Sequence, residues 1–105
     1  MMGAMSMGLA YAGRETFIFD GLGRVLNPQL RTYRPIHYGE NPQYMVDFIT
    51  TPHIDAPYGA RGVGEHGLLG MPAALANCLT VAAEVDINEL PVTPEFIWRC
   101  KGEKR

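Results

Sequence analysis

Residues 57–67 read Pro-Tyr-Gly-Ala-Arg-Gly-Val-Gly-Glu-His-Gly. The stretch contains Gly62-x-Gly64-x-x-Gly67, and Asp86 follows nineteen residues later, which is the spacing of a dinucleotide-binding fingerprint. That fingerprint requires an apolar strand running directly into its first glycine, so that the turn presents a pyrophosphate to a helix N-terminus. Here Pro52, Asp55 and Pro57 occupy the approach. No second strand of a βαβ unit follows, because Pro91 and Pro94 interrupt the segment where it would lie. A doubly wound parallel sheet is thereby excluded.

What remains is a loop in which Gly59, Gly62, Gly64 and Gly67 surround one cation, Arg61, and one carboxylate, Glu65. Glycines at this density let backbone N–H groups approach a ligand and form an anion-binding nest, which Arg61 would complement. Glu65, between glycines and just before an apolar helix, is placed for partial burial, which raises a carboxylate's pKa toward the range of a general base. The same residues also make an ordinary glycine-rich turn whose Glu65 caps the following helix. The residues alone leave both readings open.

Downstream of the loop, Met71, Leu75, Cys78, Ala82 and Val85 recur at helical spacing. They predict an Ala-rich helix from about 71 to 85, with Pro72 in its first turn and Cys78 as a small core residue. Upstream, Tyr44–Thr50 (YMVDFIT) reads as a strand interrupted by Asp47, and 29–42 as extended chain in which Pro35 and Pro42 prevent a helix. Glu15–Phe19 reads as a second strand, turning through Asp20-Gly-Leu-Gly23 into Arg24-Val-Leu26. Residues 2–12 predict a helix stopped by Gly13, with Gly3, Ser6, Gly8 and Ala12 leaving one flank low enough for another element to approach. At the other end Thr93 is placed to cap a last helical turn at 94–99, with Pro94 at its first position. The expected fold class is α+β: a single domain over 1–105 with a small mixed or antiparallel sheet, an N-terminal helix and a C-terminal Ala-rich helix.

The composition sets outer bounds. The chain has 105 residues, 47% of them hydrophobic and 19% charged, with a formal net charge of −2. This is a globular composition without the basic face that a sequence-independent nucleic-acid binder needs. Tyr33, Tyr38, Tyr44 and Tyr58 lack the interleaved Lys and Arg of a single-strand platform. Cys78 and Cys100 make no disulfide framework, and His37, His53 and His66 have no metal-ligand spacing, so no metal site is assigned. The apolar start lacks the basic region of a secretory signal, and the uncharged run 66–83 is broken by Gly67, Gly70, Pro72 and Asn77. The expectation is a soluble, cytoplasmic chain with neither membrane nor nucleic-acid partner. Four of the six methionines lie in the first seven positions, an uncharged apolar opening that suits a docked segment and predicts a homo-oligomer in isolation.

Four segments, taken together, carry a resemblance: Met5-x-x-Gly8-Leu-x-Tyr11, Gly23-Arg-Val-Leu-Asn-Pro28, Gly59-Ala-Arg-Gly-Val-Gly-Glu65 and Leu90-Pro-Val-Thr-Pro94. In this order they resemble the C-terminal end of the molybdopterin-binding large subunits of the xanthine dehydrogenase, aldehyde oxidase and aerobic-type carbon monoxide dehydrogenase family, over roughly residues 5–98. The resemblance implies that Glu65 is the catalytic base, taking a proton from a hydroxyl on molybdenum. It implies that Arg61 contacts the pterin and that Gly62 and Gly64 lie close to the cofactor. Where many relatives have two prolines or Ser-Pro after the glutamate, this chain has His66-Gly67, a departure that bears on pocket shape and substrate. The implied cofactor is molybdopterin in its cytosine dinucleotide form, carrying molybdenum in the complete enzyme, with none held by this chain alone. The implied partners are the remaining molybdopterin-binding polypeptide, an FAD subunit and a 2Fe-2S subunit. On this reading the chain is a fragment or split subunit, inactive alone. The alternative is a non-catalytic truncated domain or self-associating interaction module.

Overall fold

The computed structural model describes residues 1–103. Its regular elements are helices: α1 (Met2–Gly13), the single turn α2 (Leu30–Tyr33), α3 (His66–Ala83) and α4 (Pro94–Glu103), with a 3-10 turn at Pro57–Gly59. The expected sheet is not formed among the described residues. Of its strands, 15–19 and 24–26 meet in one isolated antiparallel bridge, Phe19 to Val25, and 44–50 has no ladder partner. The turn between the first two is as the sequence predicts. The Asp20 carboxylate accepts the N–H groups of Leu22 and Arg24, both at 2.9 Å, and the Arg24 Nε–H at 2.8 Å. The bonds from the Arg24 backbone and side chain hold the Asp20 carboxyl below its usual range. Below the turn, buried Asn27 accepts the Ile18 N–H at 2.8 Å and donates to the Thr16 carbonyl at 2.7 Å.

The packing that organises the chain is α1 against α3. On α1, a Cβ at Gly8 would lie 2.8 Å from Met71 Cβ and 2.9 Å from the Leu68 carbonyl oxygen. On α3, a Cβ at Gly67 would lie 2.7 Å from Met5 Cγ. Each helix therefore uses a glycine to admit the other at backbone distance; of the low flank expected on α1, Gly8 meets α3, whereas Gly3 faces open space and Ser6 bonds Tyr44. Ala10 and Ala12, further along α1, are buried. The Ala12 carbonyl accepts the Val92 N–H at 2.7 Å, which fastens the C-terminal segment to the end of α1. Val85 and Val92 complete the buried hydrophobic set.

α3 begins at His66 rather than near 71, so Pro72 is interior to it. Pro72 has no N–H to give the Leu68 carbonyl, and that carbonyl faces Gly8. The less exposed positions of α3 are Gly67, Met71, Leu75, Leu79 and Ala83, together with Leu68, Pro72, Ala76 and Thr80. The step is four residues throughout. The expected stripe, which alternates steps of four and three, leaves this ridge after Leu75, and Cys78 and Ala82 are accordingly exposed. By length and composition α3 is also the helix among the described residues that could cross a membrane; the glycines, Pro72 and Asn77 do not interrupt it. α4 starts as expected, with the Phe96 N–H bonded to Thr93 Oγ1 at 3.2 Å, and runs on past 99 to Glu103.

The result is open. The radius of gyration is 17.5 Å, against about 13 Å for a compact chain of this length. The exposed area is 8484 Å², against roughly 5,800 Å² for a folded monomer of this mass.

Candidate functional site

The loop between Pro52 and α3 is anchored at both ends. At its start the His53 N–H bonds the Gly59 carbonyl at 3.0 Å, and the Gly59 and Ala60 amides close a turn onto Ala56 and Pro57 at 2.9 and 3.1 Å. The His53 ring takes part as well, its Nδ1 accepting the Asp55 N–H at 3.1 Å. The left-handed positions of this turn are Tyr58 (φ 56°) and Gly59 (φ 70°). A Cβ on Gly59 would come within 2.8 Å of Pro52 Cβ, so glycine is required there twice over, by conformation and by space. Tyr58, adopting the same region without glycine's freedom, projects fully into solvent.

At the far end the His66 N–H bonds the Val63 carbonyl at 3.3 Å, and the Leu68 N–H bonds the Glu65 carbonyl at 3.0 Å. Glu65 occupies the N-cap position of α3, but its side chain makes no capping bond, so the capping role the sequence allowed is not taken up. Neither is Glu65 partly buried. Arg61, Gly62, Gly64 and Glu65 are all exposed. Burial of Glu65 would need groups above the loop, and the described residues supply none: Gly62 and Gly64 face open space.

The glycines thus separate into two with a use and two without. Gly59 turns the chain, Gly67 admits Met5, and Gly62 and Gly64 serve nothing among the described residues. They also lie outside the positive-φ set, so the alternating left-handed conformation of an anion nest is not built around them. Arg61 makes no ion pair or hydrogen bond among the described residues. Beside the loop, the N-terminus of α3 borders a groove of about 400 Å³ lined by Met5, Met45, Asp47, His66, Gly67 and Met71. The sequence does not single out this groove, because Met45 and Asp47 come from a segment whose pattern assigns it to a sheet. Among the described residues no group of three or more His, Cys, Asp and Glu is placed to hold a metal ion.

As chemistry, the loop offers one guanidinium without a partner among the described residues, a stretch of backbone open to close approach and one solvent-facing carboxylate. These are contiguous in sequence and fixed at both ends. A guanidinium and open glycine backbone suit an anionic, phosphate-bearing cofactor in donor type. They form one wall, with no enclosing cradle.

No family model matches the chain. It is 35% identical over 95 residues to the aldehyde oxidoreductase molybdenum-binding subunit PaoC of Escherichia coli (strain K12), a match covering 89% of this chain and 13% of that protein. It is 33% identical over 97 residues to the putative xanthine dehydrogenase molybdenum-binding subunit XdhA of the same strain, covering 91% of this chain and 13% of the relative. Among solved structures, the crystal structure of quinoline 2-oxidoreductase from Pseudomonas putida 86 superposes with a TM-score of 0.85 at 28% identity, over 97% of this chain and 13% of that one. The chain therefore spans about an eighth of the length of the proteins it matches.

Proposed function

We propose that this chain, a homologue of a small part of the molybdenum-binding subunits of aldehyde oxidoreductase and xanthine dehydrogenase, supplies the catalytic-base wall of a molybdenum hydroxylase whose site is completed by another polypeptide. One observation carries the reading. Arg61, Gly62, Gly64 and Glu65 are exposed on a loop closed by hydrogen bonds at both ends; among the described residues the Arg61 side chain has no partner, the Glu65 side chain makes no capping bond, and Gly62 and Gly64 face open space. On this reading Arg61 pairs with an anionic group of a molybdopterin, and Gly62 and Gly64 let the backbone lie against it. When bound, the molybdenum in its pterin supplies the two-electron redox chemistry. The carboxylate of Glu65 accepts a proton from the attacking hydroxyl. It becomes an effective base once the completing polypeptide excludes water from above the loop. The cytosine dinucleotide form of the cofactor, FAD and 2Fe-2S partner subunits, a cytoplasmic setting and inactivity of the chain alone belong to the same proposal.

The test is purification of the affinity-tagged chain from its own cells. A longer molybdopterin-binding polypeptide should accompany it, and Glu65→Gln should lower the assembled enzyme's kcat by about 10²–10⁴-fold with the molybdenum content unchanged. An unchanged rate would remove Glu65 from the role of base.

A second reading, a non-catalytic self-associating module, is favoured by the exposure of Met2, Met7 and Tyr11 on α1. It predicts homo-oligomers in those same cells with no larger molybdenum-binding partner.

A further inference from the structure

Residues 40–53 run without helix, turn, bridge or bend. Over residues 41–52 no backbone N–H or C=O bonds to another backbone group among the described residues. Yet this segment contains Tyr44-Met-Val-Asp-Phe-Ile-Thr50, which is rich in aromatic and β-branched side chains and carries one charge. Such a composition fits a pleated strand inside a sheet. The segment is also held in place. The Tyr44 hydroxyl accepts the Ser6 hydroxyl of α1 at 3.3 Å, and Val46 faces the groove at the head of α3. Tyr44 and Val46 are half-buried, while Met45, at the rim of the same groove, and Ile49 are 92% and 96% exposed. Both faces are apolar, as in strands covered on two sides. The one charge, Asp47, turns back to accept the Phe48 N–H at 2.8 Å.

We infer that residues 44–50 are a preset strand whose ladder partner is an extended segment of a different polypeptide, the remainder of the molybdenum-binding subunit; this rests on the function proposed above. The unpaired edge is the template for strand addition. The area argues for a large, different partner rather than a second copy. The chain exposes 8484 Å², roughly 2,700 Å² more than a compact monomer of its mass. That excess is about three times the 800 Å² each partner buries in a standard interface. It is also spread over residues remote in sequence from the strand: Leu22, Leu30, Leu69, Val81 and Trp98 are each at least 74% exposed. A two-fold contact through the strand covers one patch, whereas an enveloping partner covers several.

The experiment compares amide hydrogen exchange of residues 44–50 in the purified chain and in the complex recovered from its own cells. The variants Val46→Pro and Asp47→Pro remove adjacent N–H groups, neither of which bonds another backbone group among the described residues, and which point to opposite edges of the strand. The inference expects open exchange in the chain alone, protection in the complex, and assembly weakened at least about tenfold by one or both variants, the equivalent of a lost ladder bond. The circular dichroism of the isolated chain should be unchanged by either. A complex containing the molybdenum-binding polypeptide in which 44–50 exchanges as freely as in the chain alone would overturn the strand and leave the active-site reading standing. Protection in the chain alone that grows with its concentration would make the neighbour a second copy and overturn the assigned partner. Absence of any molybdenum-binding polypeptide from the purification would overturn the functional reading and this inference with it.

Discussion

Asn27 is the buried polar side chain among the described residues, and it works as a two-ended clamp, accepting from Ile18 and donating to Thr16. Asn27→Ala leaves a donor and an acceptor without partners and should cost about 1–3 kcal/mol, read from urea denaturation. Asn27→Asp keeps the acceptor for Ile18 but sets a carboxylate oxygen against the Thr16 carbonyl, so at neutral pH it should be at least as damaging. Acidification restores a donor and should recover part of the loss, the reverse of the wild-type trend. In the wild type, Glu40 accepts the His37 N–H at 2.7 Å and pairs with Arg14 at 3.1 Å. Those two contacts hold its carboxyl low, the His37 bond contributing most, as Arg24 does for Asp20. A carboxyl whose folded pKa is depressed contributes in full above its unfolded pKa, and the contribution is lost as pH falls through the depressed value. Titration of the two carboxyl resonances should therefore show midpoints below the usual carboxylate range, with the chain loosening in acid. Glu40→Gln and Asp20→Asn should flatten that dependence.

The contact of α1 with α3 makes opposite predictions for two glycine-to-alanine changes of the same chemistry. Gly70, inside α3, would have nothing within 4 Å of an added methyl group, so Gly70→Ala should stabilise by about 0.5–1 kcal/mol through helix propensity. At Gly8 the methyl would meet Met71 and the Leu68 carbonyl at under 3 Å, and forcing the helices apart should cost about 1–3 kcal/mol net. Thermal melts that shift in the same direction for both would refute a glycine-mediated crossing. The elements also mark where the sequence is legible. The Asp20 turn and the Thr93 cap are local, set by side chains within a few residues of the backbone they bond, and they form as the sequence predicts, as does α1. The start of α3 falls earlier than the pattern predicts because Gly67 and Gly70 resemble punctuation, when Gly67 is a packing position whose reason lies on α1. α2 has no signal in the sequence pattern because a single turn fits between Gln29 and Arg34 ahead of Pro35. Residues 44–50 show the converse: their side-chain pattern reads as a strand, but no backbone partner for them lies among the described residues, and no strand forms. Glu65 belongs to the same class. Its position is local and legible; the burial expected of it is not found among the described residues.

At the scale of the whole molecule, the buried hydrophobic set of Ala10, Ala12, Val85 and Val92 is small for a chain that is 47% hydrophobic. An unfolded chain of this mass exposes about 16,800 Å² and a compact monomer roughly 5,800 Å², so folding ordinarily hides about 11,000 Å². With 8484 Å² still exposed, this chain hides only about three quarters of that amount. Denaturant sensitivity scales with the area exposed on unfolding. The urea m-value of the dilute chain should therefore be about three quarters of that of a compact domain of equal length, and small-angle scattering should give a radius of gyration near 17.5 Å. As concentration rises, sedimentation should show association through the exposed Met2, Met7 and Tyr11 of α1, with the m-value rising as those side chains are buried. Monomers that stay open at every concentration would mean that the exposed Met2, Met7 and Tyr11 do not seek one another, and would leave the different, larger polypeptide as the surface's only fitting cover. A full-sized m-value with a radius near 13 Å would instead mean that the chain closes on itself. In that case the solvent above Gly62, Gly64 and Glu65 would be displaced by the chain's own residues, and the case for a second polypeptide completing the site would lose its structural ground.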